Sequence, residues 1–305
     1  MLCSTPTVSI IIRSYNRASK IGQSIKSVLA QTFQEWELIV VDNHSHDDTD
    51  AVVYSFSDER ISLYKIHNHG IISASLNLGL SVSRGKFIAI LDSDDWWTQR
   101  KLELSIRQLE SGFDVVHHSM FKVPSLDFVD SEQIPRTIQI NRSLDPRNPY
   151  NDLFWLGNGL SNSSVVIRKS KLQELGGFTE DPNCLGAEDF HAWLGLARNG
   201  CSFSKLPDVL GYLIFDEDNL WSYSKQITAL SAIFSEFQGA STSSGVFPAW
   251  ACYSVAMSYL GQDDRRSALR MLTKALSAPS APWRYVVKDM IYRLKALLRI
   301  ANLSL

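Results

Sequence analysis

The chain places three aspartates within four residues, Asp92-Ser93-Asp94-Asp95, directly after the apolar run Phe87–Leu91. Carboxylates this close raise one another's pKa unless a cation or basic group compensates. An aspartate pair spaced by one residue at a strand end can hold a hard divalent cation, and Mg2+ or Mn2+ suits oxygen ligands better than zinc. Capping of the helix through Leu102, Leu104 and Ile106 explains Ser93 or Asp95, but not three acids together. Metal binding is the favoured reading. Asp42 ends a second apolar run, Glu37–Val41, where a carboxylate or amide can pair with a nucleobase or ribose. Asp47 and Asp48 are assigned to capping the short helix that follows. The His44-x-His46 pair is assigned to a solvated loop, because Thr49 stands where a zinc-hydrolase motif needs its last histidine. A third acidic site, Glu188-Asp189, opens a helical pattern through Phe190, Trp193, Leu194 and Ala197. Acids favour a helix start electrostatically, and a group-transfer site also needs a carboxylate base opposite a metal–phosphate pole.

The elements that must position these acids alternate in type. Val8–Ile12 reads as a strand buried on both faces and Glu37–Val41 as another buried strand, with third and fourth strands at Ile61–Ile66 and Phe87–Leu91. Between them, Ile21, Ile25, Val28 and Leu29 recur at helical spacing, residues 50–57 form a short helix, and Ser73–Ser83 forms another that ends at Arg84-Gly85. Such alternation predicts crossovers and a mostly parallel sheet flanked by helices. Ligands of such sheets lie beyond the carboxyl ends of the strands. The loops Arg13–Arg17, Asp42–Asp48 and Asp92–Asp95 should therefore share one edge. Further strands are expected at Phe113–His118 and Ser164–Arg168, a long loop or irregular ribbon over Pro124–Pro149, and a turn at Gly176-Gly177. Residues 222–237, 248–260 and 265–277 read as helices. A boundary near residue 216 divides an α/β domain, 1–215, from an all-helical extension, 216–305.

Composition narrows the class. A chain of 305 residues with 45% hydrophobic and 20% charged residues is an ordinary globular one, with room for a large domain and an appendage. Net charge of −2 argues against a chain-wide nucleic-acid surface. The four cysteines include no CxxC pair, so neither a disulfide framework nor a zinc knuckle is indicated. The first apolar run is short and lacks a basic start, and no stretch reaches the roughly 18 apolar residues of a spanning helix. A cytoplasmic protein is expected. The last segment carries Arg284, Lys288, Arg293, Lys295 and Arg299 against Asp289. A basic amphipathic helix can lie on the inner membrane face. Apolar residues on more than one side favour packing on the tail or on a second subunit, as in a homo-oligomer.

The stretches VSIIIRSYNR, SIKSVLAQTFQEWELIVVDNHS, ISASLNLGL, GKFIAILDSDDWW and GAEDFHAWLGLARNG occur in this order. Together, from Val8 to Tyr212, they resemble the family 2 glycosyltransferases of GT-A fold. The resemblance implies inverting transfer of a sugar from a nucleotide-diphosphate donor, a UDP-sugar foremost, to a hydroxyl of a glycan or lipid-linked glycan. Synthesis of surface polysaccharide or lipopolysaccharide is the implied role. By the same match Asp94 coordinates Mn2+ or Mg2+, with Asp92 and Asp95 beside it, and Glu188 or Asp189 is the general base. The implied donor-binding set is Ser14, Tyr15, Arg17, Asp42, Asn43, Asn77, Asp92 and Ser93. Asn43 stands where the family often has aspartate; asparagine both donates and accepts, which opens guanine or thymine beside uracil. Leu76 stands where an arginine is frequent, so the phosphate-facing cation is sought at Arg13, Arg17 or Arg100. Two rivals remain at this point: a catalytically silent glycan-binding scaffold of the same fold, and a nucleotidyltransferase. Against the latter, RSYNRASKIG is a poor version of a triphosphate loop.

Overall fold

The computed structural model describes residues 5–123, 139–214, 223–237, 247–278 and 281–303. They form two compact units: Met1–Pro146 with Gly159–Glu180 and Gly195–Asn219, and Arg147–Asn158 with Asp181–Leu194 and Leu220–Leu305. The second unit thus adds two earlier segments to the helices that follow residue 216.

The first unit is built on a nine-stranded sheet. Strands β1 (Val8–Ser14), β2 (Trp36–Asp42) and β4 (Phe87–Asp92) are buried almost throughout, as their unbroken β-branched runs require. With β3 (Ile61–Lys65) they form a parallel block, connected by α1 (Ile21–Leu29), α2 (Thr49–Tyr54) and α3 (Ile72–Val82). The register sets Ser14 opposite Asp42 and Arg13 opposite Asp92, so the three loops do share one edge. At the other end of the strands, Gly85 is needed for close approach. A Cβ there would lie 2.5 Å from the Ser9 nitrogen, and the Gly85 N–H donates to Ser9 Oγ at 2.8 Å.

The remainder of the sheet is mixed. After β4 come β5 (Trp96–Trp97), α4 (Lys101–Glu110), β6 (Val115–Val123), β7 (Gln139–Ile140), β8 (Val166–Arg168), α6 (Lys169–Leu175) and β9 (Phe203–Ile214). β8 lies antiparallel to both β4 and β6. β6 runs past the expected His118 because β9 pairs with it as far as Ile214. Pro207 and Gly211 read against a strand at β9, and a bulge absorbs the proline. His117 pairs with Lys205 and Ser119 with Val209, two steps along β6 for four along β9. The expected loop over Pro124–Pro149 lies in part outside the described residues, 124–138.

In the second unit that loop gives way to α5 (Pro149–Leu156). Pro149 occupies its first turn, where no intrahelical N–H is needed, and Asn148 accepts from the Asn151 N–H at 3.2 Å. Helix α7 (Glu188–Arg198) starts here. Then come α8 (Tyr223–Glu236), α9 (Ala249–Gly261), α10 (Arg265–Ser277) and α11 (Val286–Leu303). Asp264 caps α10 by accepting from the Ser267 N–H at 3.0 Å. Small residues let the last three helices close on one another: Cys252, Ala256, Leu272, Ala275 and Ala296 form their core. Arg293 ties α11 to the end of α10, donating to the carbonyls of Leu276 and Ala278.

The sheet unit also buries basic groups. Lys101, 0% exposed, sets Nζ 3.6 Å from the centre of the Trp97 ring and has no hydrogen-bond partner among the described residues. Burial holds its pKa well below the usual amine range. Burial, then the charges of Lys205 and Arg142, push His117 down to about 3. His118, whose Nδ1–H donates to the Ser119 carbonyl at 2.9 Å, is also depressed, chiefly by burial. The two histidines bind fewer protons folded than unfolded, so stability present above their ordinary value of 6.5 is lost as pH falls toward 3. The melting temperature should drop through that window. Lys101→Met should stabilise the protein at pH 7 by about 1–3 kcal/mol, read by urea unfolding; a loss instead would mean that the amine has a partner.

Candidate active site

At the end of β4 each acid has a different setting. Arg13 pairs with Asp92 at 3.1 Å. Asp95 is 2% exposed and accepts a hydrogen bond from Ser163 Oγ. Burial, then the charges of Asp92 and Asp94, push its carboxyl well above the usual range. Ser163 fixes the whole turn: its Oγ also accepts from the Asp92 N–H at 3.0 Å, and its carbonyl accepts from Trp97 Nε1 at 2.6 Å. From α1, Ser24 Oγ donates to the Asp95 carbonyl at 2.7 Å. Asp94 is half-buried and makes no hydrogen bond or ion pair among the described residues. Helix capping does not account for this turn. β5 intervenes, and α4 starts at Lys101 with Arg100 at its N-cap. Among the described residues no three His, Cys, Asp or Glu side chains gather as a metal-binding group.

The β1 and β2 ends are laced together. Asp42, 0% exposed, accepts from the Ser45 N–H at 2.7 Å, from Ser45 Oγ, and from Lys65 Nζ at 2.8 Å. Lys65 also reaches Asp50. Burial alone would lower the Lys65 pKa, but hydrogen bonds and charge from Asp42 and Asp50 outweigh it and raise it. Asn16, at φ 52°, donates its N–H to Ser45 Oγ and accepts from the His46 N–H through Oδ1, both at 2.8 Å. Asp47 accepts from the Ala18 and Thr49 N–H groups, whereas Asp48 makes no side-chain cap. The rings of His44 and His67 stack at 3.7 Å.

Several expected ligand-binding groups stay available on this edge. Ser14 is 6% exposed with an unpartnered Oγ, and Tyr15 is 49% exposed. The Asn43 Oδ1 accepts from the Asn68 N–H at 2.9 Å, which leaves its Nδ2 as a donor. Of the three candidate cations, Arg13 is committed to Asp92 and Arg100 to Glu103, whereas Arg17 has no ion pair among the described residues. Ser93 is buried in the acidic turn. The Asn77 amide is engaged by another turn. Its Oδ1 accepts from the Phe178 N–H and its Nδ2 donates to the Phe178 carbonyl and Glu180, all at 2.8 Å, so the amide is saturated by that turn.

In the second unit, Glu188 and Asp189 separate in role. Glu188 is 5% exposed and accepts from the Gly186 N–H at 2.8 Å. Asp189 is half-exposed and accepts from Asn158 Nδ2 at 3.0 Å and from the Phe190 N–H at 2.6 Å. It lines a cavity of about 350 Å³ with Asn158, Lys225, Gln226 and Trp250. Trp250 donates Nε1 to the Phe154 carbonyl at 2.9 Å, and its ring sits 3.2 Å from where a Cβ on Gly157 would be.

Lys65, Ser163, Lys225 and Trp250 are absent from the sequence-based set. Lys65 was within reach, since it ends a strand on the same edge as Asp42. Ser163 lies in the irregular run SNSS, where no periodicity singles out one serine. Lys65→Met should leave Asp42 buried with its charge uncompensated and cost about 3 kcal/mol in urea unfolding. Asp42→Asn in the same chain should recover much of that loss; no recovery would mean that Lys65 acts through packing alone.

Comparison with known proteins identifies the family. Residues 9–176 match the sequence model of glycosyl transferase family 2. UDP-Glc:alpha-D-GlcNAc-diphosphoundecaprenol beta-1,3-glucosyltransferase WfgD of Escherichia coli is 38% identical over 193 residues, 63% of this chain and 70% of that protein. The crystal structure of S. aureus TarS 1–349 in complex with UDP-GlcNAc superposes with a TM-score of 0.64 at 17% identity, covering 95% of this chain and 89% of that one. The mannosyltransferase PcManGT from Pyrobaculum calidifontis, in complex with GDP-Man and Mn2+, superposes at 0.57 with 18% identity, covering 97% and 87%. At those identities the two structures speak for the fold, a mixed α/β sheet of GT-A type. The sequence match spans more than half of the chain and takes in the acidic turn that ends β4: the chain belongs to glycosyl transferase family 2.

Proposed function

We propose that the protein transfers a sugar, with inversion, from a uridine diphosphate donor to a hydroxyl of a lipid-linked glycan during surface polysaccharide assembly. The observation that carries this reading is the group of open donors and acceptors on the parallel strand ends: Ser14 Oγ, Arg17, Asn43 Nδ2 and the Asp94 carboxylate. Arg17 is the cation for the diphosphate, the role left vacant by Leu76. The Asn43 Oδ1 is already engaged by the Asn68 N–H, so its Nδ2 is the group best placed to donate to a carbonyl on the base. Uracil supplies one, and the UDP-sugars in the names of WfgD and the TarS complex favour it over guanine.

The acidic turn fits a hard divalent ion. Asp94 is half-buried and has no hydrogen bond or ion pair among the described residues, and burial, then the charges of Asp92 and Asp94, push the Asp95 carboxyl well above its usual range; a cation at the turn would offset that repulsion. Asp94 would hold Mn2+ or Mg2+, and Asp92 and Asp95 would shape the turn from behind. When bound, the ion neutralises charge on the departing diphosphate. Asp189 is the general base. It faces a cavity and is oriented by Asn158 and the Phe190 N–H, whereas Glu188 is buried against Gly186. As the acceptor oxygen attacks the anomeric carbon, its proton passes to the Asp189 carboxylate and the nucleoside diphosphate leaves from the opposite face. The diphosphoundecaprenol acceptor in the WfgD name supports a lipid-linked acceptor.

UDP, GDP and dTDP, each with and without Mn2+, test the donor site by thermal shift. UDP with Mn2+ should stabilise the wild type by about 2.7 kcal/mol at a hundredfold excess over Kd. Arg17→Ala and Asp94→Asn should lose most of that shift. Asp189→Asn should keep the shift while transfer falls about 10²–10⁴-fold. The donor reading fails if no nucleotide shifts the wild type.

A further inference from the structure

Helix α11 presents Val287, Met290, Ile291, Leu294, Leu297 and Leu298 to solvent, each 47–68% exposed. At 3.6 residues per turn these six fall on one arc of about 120°. The opposite side is where α11 packs: Ala296 is buried in the core of the last three helices, and Ile300 and Leu303 pack against it. The helix has therefore already buried a face, and folding of the unit does not account for the other. A single exposed leucine is ordinary, but six large apolar side chains on one arc form a contiguous patch of the kind that marks an interaction surface.

The border of the patch identifies what covers it. Lys295 and Arg299, both exposed, stand about one turn apart along one edge of the apolar arc, whereas Lys288 on the same side is half-buried and donates Nζ to the Leu156 carbonyl. The helix has four basic residues and one acid, and that acid, Asp289, is already paired with Arg293 at 2.7 Å. A second copy of this face would offer no free acid to the basic edge. Anionic lipid headgroups would, and acyl chains would take the six apolar side chains. No described helix is long and apolar enough to cross a membrane, so an in-plane position is the one available.

We infer that α11 is a membrane-docking helix that lies in the interface of an anionic bilayer, with Leu294 at the centre of its buried arc. Its purpose rests on the lipid-linked acceptor proposed above, whose sugars stay at the bilayer surface. The docking face itself does not depend on that reading.

Co-sedimentation of the full chain with vesicles is the test. The protein should pellet with phosphatidylglycerol vesicles, less so with phosphatidylcholine vesicles, and less as salt rises. Leu294→Asp with Leu298→Asp should weaken binding at least about tenfold. Lys295→Glu with Arg299→Glu should abolish the preference for phosphatidylglycerol. All four side chains are exposed, so circular dichroism and melting should match the wild type. Failure of the wild type to bind phosphatidylglycerol vesicles overturns the inference. So does a wild-type dimer, seen by light scattering, that the two leucine substitutions dissolve, since the face would then belong to a second copy. A wild type that binds vesicles while no nucleotide shifts its melting would keep the docking face and remove the donor reading.

Discussion

Three carboxylates crowded at the mouth of one strand are the constraint around which the sheet unit is arranged. Like charges this close cannot all ionise without compensation, and the fold handles each one separately. Arg13, one strand over, meets Asp92. Ser163 donates to Asp95, whose carboxyl burial and neighbouring charge drive toward the neutral form. Asp94 alone faces outward without a partner among the described residues. The crowding thus leaves one open carboxylate with two more behind it, which suits a cation shared with a polyanionic ligand better than a closed protein cage.

The same separation of structural from available groups runs along the β1 and β2 ends. Asp42 ends β2 on the same edge, where Ser45 and Lys65 donate to its oxygens and tie down the loop that carries Asn43. Asn16, Ser45 and Asp47 stitch that loop to the one after β1. Among the described residues the Ser14 hydroxyl, the Arg17 guanidinium and the Asn43 amide donor stay without a partner there. Preorganised loops of this kind lower the ordering cost when a flexible diphosphate binds.

The parallel block was legible because its signal is simple. Short apolar runs ending in polar loops dictate the buried strands β1, β2 and β4 and one shared edge, and the register puts Arg13, Ser14, Asp42 and Asp92 there. Sequence alone could not rank the residues on that edge. Whether Asp42 or Asp94 is open depends on Lys65 and Ser163, which arrive from β3 and from an irregular segment far along the chain. Asn77 shows the same limit: its position in the family pattern is retained, but its amide is consumed by a turn about a hundred residues away in sequence. β9 was hidden because Pro207 and Gly211 obey rules for regular strands, and a bulge suspends those rules locally. The start of α7 offered two acids of equal standing, and burial, hydrogen-bond partners and the cavity beside Asp189 separate them.

Helix α11 shows why periodicity also leaves partners open. Apolar residues on two sides argued for packing, and the helix does pack, but through small and distal positions such as Ala296 and Leu303. Six more large apolar residues lie on the other side. Buried area sets the gain from packing, so a helix stabilised only by its core gains nothing from these six. Ala296 on the packed side lets α11 lie close to α9 and α10, with Ile300 and Leu303 beside it, and the second apolar face is left for a surface outside the fold. That second face, together with a basic edge whose only neighbouring acid is already paired, distinguishes a helix built to carry an interface from one that merely completes a bundle.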